Sequence, residues 1–241
     1  MRIDTSKRSE APEIMDDFDL EGETLRDALD KIASINKLLG GNKVTRQGLS
    51  HLLNIRTENV KNNSEITILD VGCGNGDMLR TLADYALKKQ LNFKLTGIDA
   101  NEFTIKHARQ LSLQYPNINY VCADIFEEIK QERLYDVILC TLTLHHFKDE
   151  EIITLMKGFK TQSALGIVVN DLHRSSIAYH LFTALCFAFR LSQMSKDDGL
   201  ISILRGFKKQ DLHNFSRQLD FNTYILKWKW AFRYQWIIPT L

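Results

Sequence analysis

The sequence predicts an α/β fold with a doubly wound, mostly parallel sheet and an antiparallel carboxyl-terminal strand. Three observations lead to this prediction. From residue 66 onward, short β-branched runs alternate with helical stretches, as in parallel strands joined by crossover helices. Alternating glycines follow the first of these runs directly. The last two apolar runs are separated by a short connection, which is typical of an antiparallel pair.

The composition is that of an ordinary globular protein with one main core. The chain has 241 residues, of which 44% are hydrophobic and 25% charged, with a formal net charge of +1. Proteins that bind nucleic acids usually carry a basic stripe or domain, so this balance disfavours a nucleic-acid substrate.

The cysteines and the amino terminus favour a cytoplasmic protein. Four cysteines lie far apart and form no Cys-x-x-Cys pair, so neither a zinc site nor a disulfide framework is expected. Residues 1–13 are polar and lack the apolar stretch of a secretory signal.

The first sixty residues are predicted to form a flexible tail and two helices. Apolar residues recur at helical spacing from Leu25 to Leu39 and again from Val44 to Leu53, with Gly40 and Gly41 between them. A polar break covers residues 61–64. We therefore divide the chain into an amino-terminal tail with cap helices, residues 1–60, and a main domain, residues 61–241.

The core elements follow from the alternation of patterns. Strands are predicted at Ile66–Val71, Lys94–Asp99, Ile118–Ala123, Tyr135–Thr141 and Leu165–Asn170. Helices are predicted between them at Asp77–Lys89, Asn101–Gln114 and Lys148–Thr161. A final helix, Lys209–Leu219, precedes two aromatic strands, Thr223–Trp230 and Phe232–Ile238.

A helical insertion at about residues 172–205 follows the fifth strand. Its apolar helix, residues 177–191, is shorter than the ~20 residues that cross a bilayer and contains His180 and Arg190, so no membrane span is predicted. Aromatic stripes usually pack inside, which favours a core helix. The alternative is a lid that closes an apolar cavity over a ligand.

The glycine loop after the first strand indicates a ligand site. Asp70 ends the strand and Gly72, Gly74 and Gly76 follow, at the sheet edge where open α/β folds bind ligands. A plain strand-to-helix turn is the simplest alternative. A dinucleotide site would need glycine at position 77, where this chain has Asp77. A carboxylate beside the loop would repel a pyrophosphate but can hold the ammonium of a cationic ligand such as S-adenosylmethionine.

Two further carboxylates follow the next strands. Asp99 ends the second strand, where nucleotide folds bind both ribose hydroxyls. Asp124 follows the third strand and could bind an adenine amine, with Ile125 beside the ring, or could cap a helix. Both interpretations of Asp124 stay open.

The motifs Ile-Leu-Asp-Val-Gly-Cys-Gly-Asn-Gly, Thr-Gly-Ile-Asp and Ala-Asp-Ile-Phe resemble those of class I, Rossmann-like S-adenosylmethionine-dependent methyltransferases, in the usual order from residue 66 to about 170. The Leu-His-His stretch is similar to the small-molecule branch of that family. Outside the core, the Ile-Asn-Lys-Leu-Leu-Gly-Gly and Asn-Asp-Leu-His-Arg-Ser stretches look similar to methyltransferases found beside bacterial type III polyketide synthases, which act in secondary metabolism. The resemblance implies a cofactor site at Asp70, Gly72, Cys73, Gly74, Asp99, Ala100, Asp124, Ile125 and Thr141.

The candidate catalytic residues follow strands four and five, whose loops face the ligand edge of the sheet. They are His145, His146 and His173, with Asp171 as a further candidate. Adjacent histidines on a helix point in different directions, so at most one of His145 and His146 is expected to face the acceptor. Asp171 could cap the next helix, and the polar island that it forms with His173 could instead line the acceptor pocket.

The predicted function is methylation, most readily on oxygen, of a small aromatic or lipophilic acceptor without a metal ion. One alternative is a non-catalytic protein that binds a partner enzyme. Another is an RNA methyltransferase, suggested by the basic and aromatic residues 227–233 near the carboxyl terminus. Phe182, Phe187 and Phe189 discriminate between the first two: a closed pocket favours the enzyme, and a flat outward patch favours a partner surface. The oligomeric state, the acceptor and the base stay open.

Overall fold

The computed structural model describes residues 3–55, 64–131 and 133–240. The polar break predicted at residues 61–64 falls largely outside them, and the division of the chain at residue 60 stays a prediction.

Nine α-helices and seven strands occur in the described ranges. The helices are α1 Glu23–Leu38, α2 Gly41–Ile55, α3 Asp77–Lys89, α4 Glu102–Leu111, α5 Ile125–Glu128, α6 Asp149–Gln162, α7 Ser176–Ala188, α8 Gln193–Arg205 and α9 Lys209–Gln218. The strands are β1 Ile66–Val71, β2 Phe93–Asp99, β3 Ile118–Cys122, β4 Tyr135–Thr141, β5 Ser163–Leu172, β6 Ile225–Lys229 and β7 Arg233–Pro239.

The strands form a single sheet in the order β3-β2-β1-β4-β5-β7-β6. The first five strands are parallel, and β7 is antiparallel to both β5 and β6. The predicted doubly wound, mostly parallel sheet is therefore confirmed. Because β1, β2 and β4 are neighbours, their carboxyl ends meet at one edge of the sheet.

Two apolar clusters cover the faces of the sheet, as alternation along the strands requires. Ile68 belongs to the cluster that contains Leu49 of α2 and Leu79 of α3. Leu69, the next residue, belongs to the cluster that contains Phe159 of α6 and Phe215 of α9. Helix α2 is thus part of the cover of the main sheet.

The amino-terminal tail, which is the segment before α1 and is described from residue 3 to residue 22, was expected to be flexible. This expectation is wrong for the described residues. The backbone N–H of Ser9 donates to the carbonyl of Leu204 at 3.0 Å, and the Arg8 side chain donates to the carbonyls of His145 and Phe147. A 3₁₀ turn covers Ile14–Asp16. Hydrogen bonds to distant segments therefore hold this polar stretch in place.

Helix α7 also departs from prediction, because it is not a core helix. Only Ala178 and Cys186 are buried, while Phe187 is 89% exposed. Its N-cap is Ser175, and Asp171 does not fill that role. Within the described parts of the chain, no helix combines the length and the apolar character needed to cross a membrane.

Candidate active site

A cavity of about 900 Å³ lies at the carboxyl edge of the sheet. One part of its wall is the loop after β1 together with the residues after β2, β3 and β4. The rest comes from the tail, α1, α7, α8 and the turn between β6 and β7. All nine predicted cofactor residues and all three predicted catalytic histidines line it, whereas Asp171 does not.

The glycine loop is shaped by left-handed backbone angles. Gly74 has a φ of 51° and Gly76 a φ of 77°, a region that residues with a side chain seldom adopt. A Cβ on Gly76 would lie 2.0 Å from the Tyr120 hydroxyl, so this glycine is needed for packing. A Cβ on Gly74 would meet only Leu29, at 3.9 Å, so here the backbone is open to a ligand.

Asp70 and Asp99 bring two carboxylates to the floor of the cavity. Asp70 is buried, and its Oδ1 has no hydrogen-bond partner among the described residues. Burial, reinforced by the nearby charge of Asp99, raises the pKa of Asp70 to about 8. Burial also raises the pKa of Asp99, against hydrogen bonds donated by the backbone N–H groups of Asn101 and Gly74. A bound cation would stabilise both carboxylates in their charged form.

Asp124 caps helix α5 and also lines the cavity. Its Oδ1 accepts a hydrogen bond from the backbone N–H of Phe126 at 2.8 Å and caps α5. The side chain is exposed and also lines the cavity. Because a carboxylate has two oxygens, capping leaves Oδ2 for a ligand.

Thr141 and Thr143 join the loop after β4 to its neighbours. The hydroxyl oxygens of Thr141 and Thr45 lie 3.0 Å apart, which ties β4 to α2. The Thr143 hydroxyl donates to the carbonyl of Val71 at 3.1 Å, and its methyl group fills the space where Gly72 would carry a Cβ. Thr143 was not among the predicted site residues.

His145 and Asp171 form a buried dyad. Nδ1 of His145 lies 2.7 Å from Oδ1 of Asp171, and both side chains are nearly inaccessible. Burial alone would raise the pKa of Asp171, but the charge and hydrogen bond of His145 outweigh it, so that this pKa is lowered. The ionised carboxylate can only accept, so Nδ1 carries a proton and, in the neutral ring, Nε2 has a free lone pair.

His146 lies beside His145, and the expectation that only one of them faces the acceptor stays a prediction. Their ring centroids are 4.2 Å apart and both rings line the cavity. They lie on a 3₁₀ turn, Leu144–His146, rather than on an α-helix. Nδ1 of His146 lies 2.7 Å from Oδ1 of Asp16 in the tail.

Arg205 of α8 locks the tail onto the two histidines. Its guanidinium lies 2.6 Å from Oδ2 of Asp16 and 3.6 Å from Oε1 of Glu13, and it donates to the carbonyls of His145 and His146. Burial raises the pKa of Glu13, partly offset by His146, Ser202 and Arg205. The pKa of Asp16 is lowered because bonds to His146 and Arg205 outweigh burial.

Three groups in this corner have a spacing that suits a metal ion. Ligand atoms of Glu13, His145 and His146 lie within 4.8 Å of one another. Arg205 already places a positive charge 3.6 Å from Glu13, however, which opposes a second cation at this point.

His173 is arranged differently from His145. Its Nδ1 accepts a hydrogen bond from the Trp228 indole N–H at 3.2 Å, and its ring stacks on Phe232. Burial, with Lys208 and Arg174 nearby, lowers the pKa of His173, so the ring is neutral. Since Nδ1 accepts, Nε2 carries the proton and can donate to a ligand.

The three phenylalanines chosen to discriminate enzyme from partner surface fall into two groups. Phe182 lines the cavity, with Leu181 and Leu185. Phe187 and Phe189 point away from it and are 89% and 44% exposed. The structure thus has both a cavity facing the predicted cofactor residues and an outward apolar surface.

Sequence reasoning missed the contribution of Glu13, Asp16 and Arg205. In the sequence they are charged residues in polar surroundings, 189 positions apart in the case of Asp16 and Arg205. No local pattern marks such a pair.

Part of the chain matches a known protein domain. Residues 68–162 match the model of a methyltransferase domain. The chain is 31% identical over 139 residues to a ubiquinone biosynthesis O-methyltransferase of Rickettsia conorii, an alignment that covers 55% of this chain and 45% of that protein. It is 30% identical over 171 residues to the protein of the same name from Rickettsia prowazekii, covering 65% and 63%. The chain thus spans about half the length of these curated relatives.

Solved structures share the architecture at low sequence identity. The plantazolicin methyltransferase BpumL in complex with SAH superposes with a TM-score of 0.65 at 17% identity, covering 88% of each chain. The magnesium protoporphyrin IX methyltransferase ChlM of Synechocystis PCC 6803, with bound SAM, gives a TM-score of 0.54 at 14% identity, covering 93% of this chain and 88% of that one. Residues 68–162 therefore resemble a methyltransferase domain, and the chain as a whole shares the fold of these solved methyltransferases.

Proposed function

We propose that this protein transfers the methyl group of S-adenosylmethionine to an oxygen atom of a small aromatic or lipophilic acceptor. The observation that carries the proposal is that one cavity joins an open glycine loop with buried carboxylates to a histidine paired with a carboxylate. A cofactor and an acceptor can therefore be held next to each other in one space.

The residues present fit the cofactor. The unpartnered Oδ1 of Asp70 would accept from an ammonium group, and Asp99 would accept from the ribose hydroxyls. Gly74 leaves room for the ligand at the backbone, while Ile125 and Asp124 would hold the adenine. When bound, S-adenosylmethionine supplies an activated methyl group on a sulfonium.

His145 is the residue arranged to take the acceptor proton. Asp171 holds its Nδ1–H, which directs the lone pair of Nε2 away from that carboxylate. His173 would orient the acceptor by donating from Nε2. His146 and Asp16 would close the site from the tail side.

The apolar wall favours a lipophilic acceptor. Leu181, Phe182 and Leu185 of α7 and Phe232 of the β6–β7 turn line this part of the cavity. Methylation on oxygen is also the activity for which the Rickettsia relatives are named. We infer that no metal is needed, since His145 can accept the proton and Arg205 balances the carboxylates.

The test has two stages. Isothermal titration with S-adenosylhomocysteine should show one site per chain. Purified protein and S-adenosylmethionine should then be incubated with a panel of phenols and catechols that carry alkyl chains of increasing length, with and without a chelator, and methylated products identified by mass spectrometry. Failure to bind S-adenosylhomocysteine with an intact circular-dichroism spectrum would falsify the cofactor assignment. Binding with transfer only to polar or nucleic-acid acceptors would refute the acceptor class.

A further inference from the structure

The outward surface of α7 is unusually apolar for a helix in contact with water. Ile177, Leu181 and Phe187 are 62%, 53% and 89% exposed. The helix contains no Asp, Glu, Lys or Arg in its thirteen residues. Exposed apolar area that is contiguous along a helix usually marks an interaction site.

Two exposed tryptophans lie near the start of the same helix. Trp228 and Trp230 are 48% and 64% exposed, and both rings lie within about 6.5 Å of Phe232, which stacks on His173. His173 precedes the first residue of α7 by three positions. We call these tryptophans and the exposed apolar residues of α7 the aromatic face; its members are Ile177, Leu181, Phe187, Phe189, Trp228 and Trp230.

Basic residues surround the aromatic face. Residues 173–209 and 225–233 hold nine of the 31 Lys and Arg residues but only two of the 30 Asp and Glu residues. Arg174, Arg205, Arg233 and Asp198 of this set are buried, which leaves six basic residues and one acidic residue at least partly exposed. Arg190 directly follows α7 and is exposed, whereas Lys227 and Lys229 alternate with Trp228 in β6 and so project from the opposite face of that strand. With a net charge of only +1 overall, the rest of the chain is net negative. The charge is therefore polarised toward this side.

We propose that the aromatic face docks on the surface of an anionic lipid bilayer. Aromatic and aliphatic side chains enter the interfacial region, and Lys and Arg around them bind acidic headgroups. Tryptophan is suited to this boundary because its ring is apolar and its N–H is polar. Helix α7 would lie on the bilayer, in agreement with its short length.

The aromatic face is continuous with the cavity. Leu181 and Trp230 line the cavity and are also more than half exposed, so they lie at one of its mouths. A lipophilic acceptor dissolved in the bilayer could then enter without crossing water. This entry route rests on the proposed function, whereas binding to the bilayer does not.

A second copy of the chain fits this surface less well. A two-fold contact would bring the basic residues around one aromatic face against the same residues of the other copy. An anionic bilayer supplies the opposite charge instead, and the observations favour it.

Co-sedimentation of the full chain with vesicles tests the docking. We expect binding to vesicles of phosphatidylcholine with phosphatidylglycerol, weaker binding to phosphatidylcholine alone, and loss of binding in high salt. Phe187→Ser should weaken partitioning about tenfold, because one largely exposed ring no longer enters the bilayer. Leu113→Ser is the matched control: Leu113 is 85% exposed beside the opposite edge strand, β3, and its change should have no effect.

Charge reversal tests the basic component separately. Arg190→Glu should weaken binding to the anionic vesicles and reduce its dependence on salt, whereas Lys88→Glu on α3 should not. Titration with S-adenosylhomocysteine runs in parallel, so that failure of the proposed function is seen independently of failure to dock. The proposal is overturned if no anionic vesicle binds, if Leu113→Ser acts like Phe187→Ser, or if Phe187→Ser instead dissociates a dimer seen without lipid.

Discussion

The two ends of the cavity are built in opposite ways. The glycine-loop end uses residues that directly follow β1, β2 and β3, close together in sequence and held by the sheet. The histidine end is assembled from the tail, the turn after β4, the end of β5, α8 and the β6–β7 turn. The first end is a property of the fold, whereas the second depends on segments added around it.

The two ends of the cavity also differ in whether their carboxylates have partners within the protein. At the glycine loop, Asp70 and Asp99 are buried close together without a cation. At the histidines, Asp16 and Asp171 are each paired with a cation or a ring nitrogen. The first end is therefore prepared for a cationic ligand, whereas Asp16 and Asp171 at the second end already have partners within the protein.

The largest effect is expected at the histidine end. His145→Gln should lower kcat by about 100- to 10,000-fold, the usual contribution of a general base, with unchanged affinity for S-adenosylhomocysteine. Methyl transfer to the acceptor identified in the phenol panel, measured across pH, checks it. His213→Ala is the control. His213 lies on α9, away from the cavity, and its ring is hydrogen-bonded to the Tyr224 hydroxyl. A change in cofactor affinity as large as that in kcat would contradict the assignment of cofactor binding and proton transfer to separate ends of the cavity.

Next in size is the ribose contact. Asp99→Ala should weaken the affinity for S-adenosylhomocysteine about 100-fold, since each charge-assisted hydrogen bond contributes about 1.5–3 kcal/mol. Isothermal titration measures it. Asp84→Ala, on the exposed side of α3, should bind as wild type does. An unaffected Asp99→Ala protein would mean that the ligand lies elsewhere in the cavity.

A pair of glycine substitutions sharpens the contrast within the loop. Both Gly74→Ala and Gly76→Ala force a left-handed angle at about 1–2 kcal/mol. Gly76→Ala should lower the free energy of unfolding further, because of its clash with Tyr120. Gly74→Ala should fold nearly normally and bind S-adenosylhomocysteine at least about tenfold more weakly. Denaturant unfolding and titration separate the two, and equal behaviour would contradict the ligand role of Gly74.

The last effect is a dependence on pH. Asp70 has a pKa of about 8 without ligand, and an ammonium partner favours its ionised form. Binding should therefore release a proton, and affinity should rise as pH rises from about 6 to 8, by at most about tenfold per unit. Titrations in buffers of different ionisation enthalpy count the proton. Asp70→Asn should flatten the profile, and a flat wild-type profile would contradict the assignment.

The sequence predicted the glycine-loop end well because its signals are local. β1, α3 and β4 have the predicted bounds, since β-branched runs mark the two strands and Gly76 directly precedes the helix. The exposure of α7 was not predicted, because an aromatic helix is ordinarily buried and the sequence does not show what covers it. Helix α8 was not predicted as a separate helix within the insertion, because its residues are mixed in polarity.

The same limit applies to the tail. Glu13 and Asp16 are unremarkable in a polar stretch, and their role depends on Arg205, which chain folding brings to them. Long-range ion pairs carry no periodicity that could reveal them.

The contacts of Arg8 give the tail a kinetic consequence. Because Arg8 holds the carbonyls of His145 and Phe147, and Arg205 holds those of His145 and His146, detachment of the tail would also release the turn that carries both histidines. Opening of the site and misalignment of its base would then be a single event. Under the proposed function, a tag that disturbs the amino terminus should therefore lower kcat with little effect on the melting temperature of the protein.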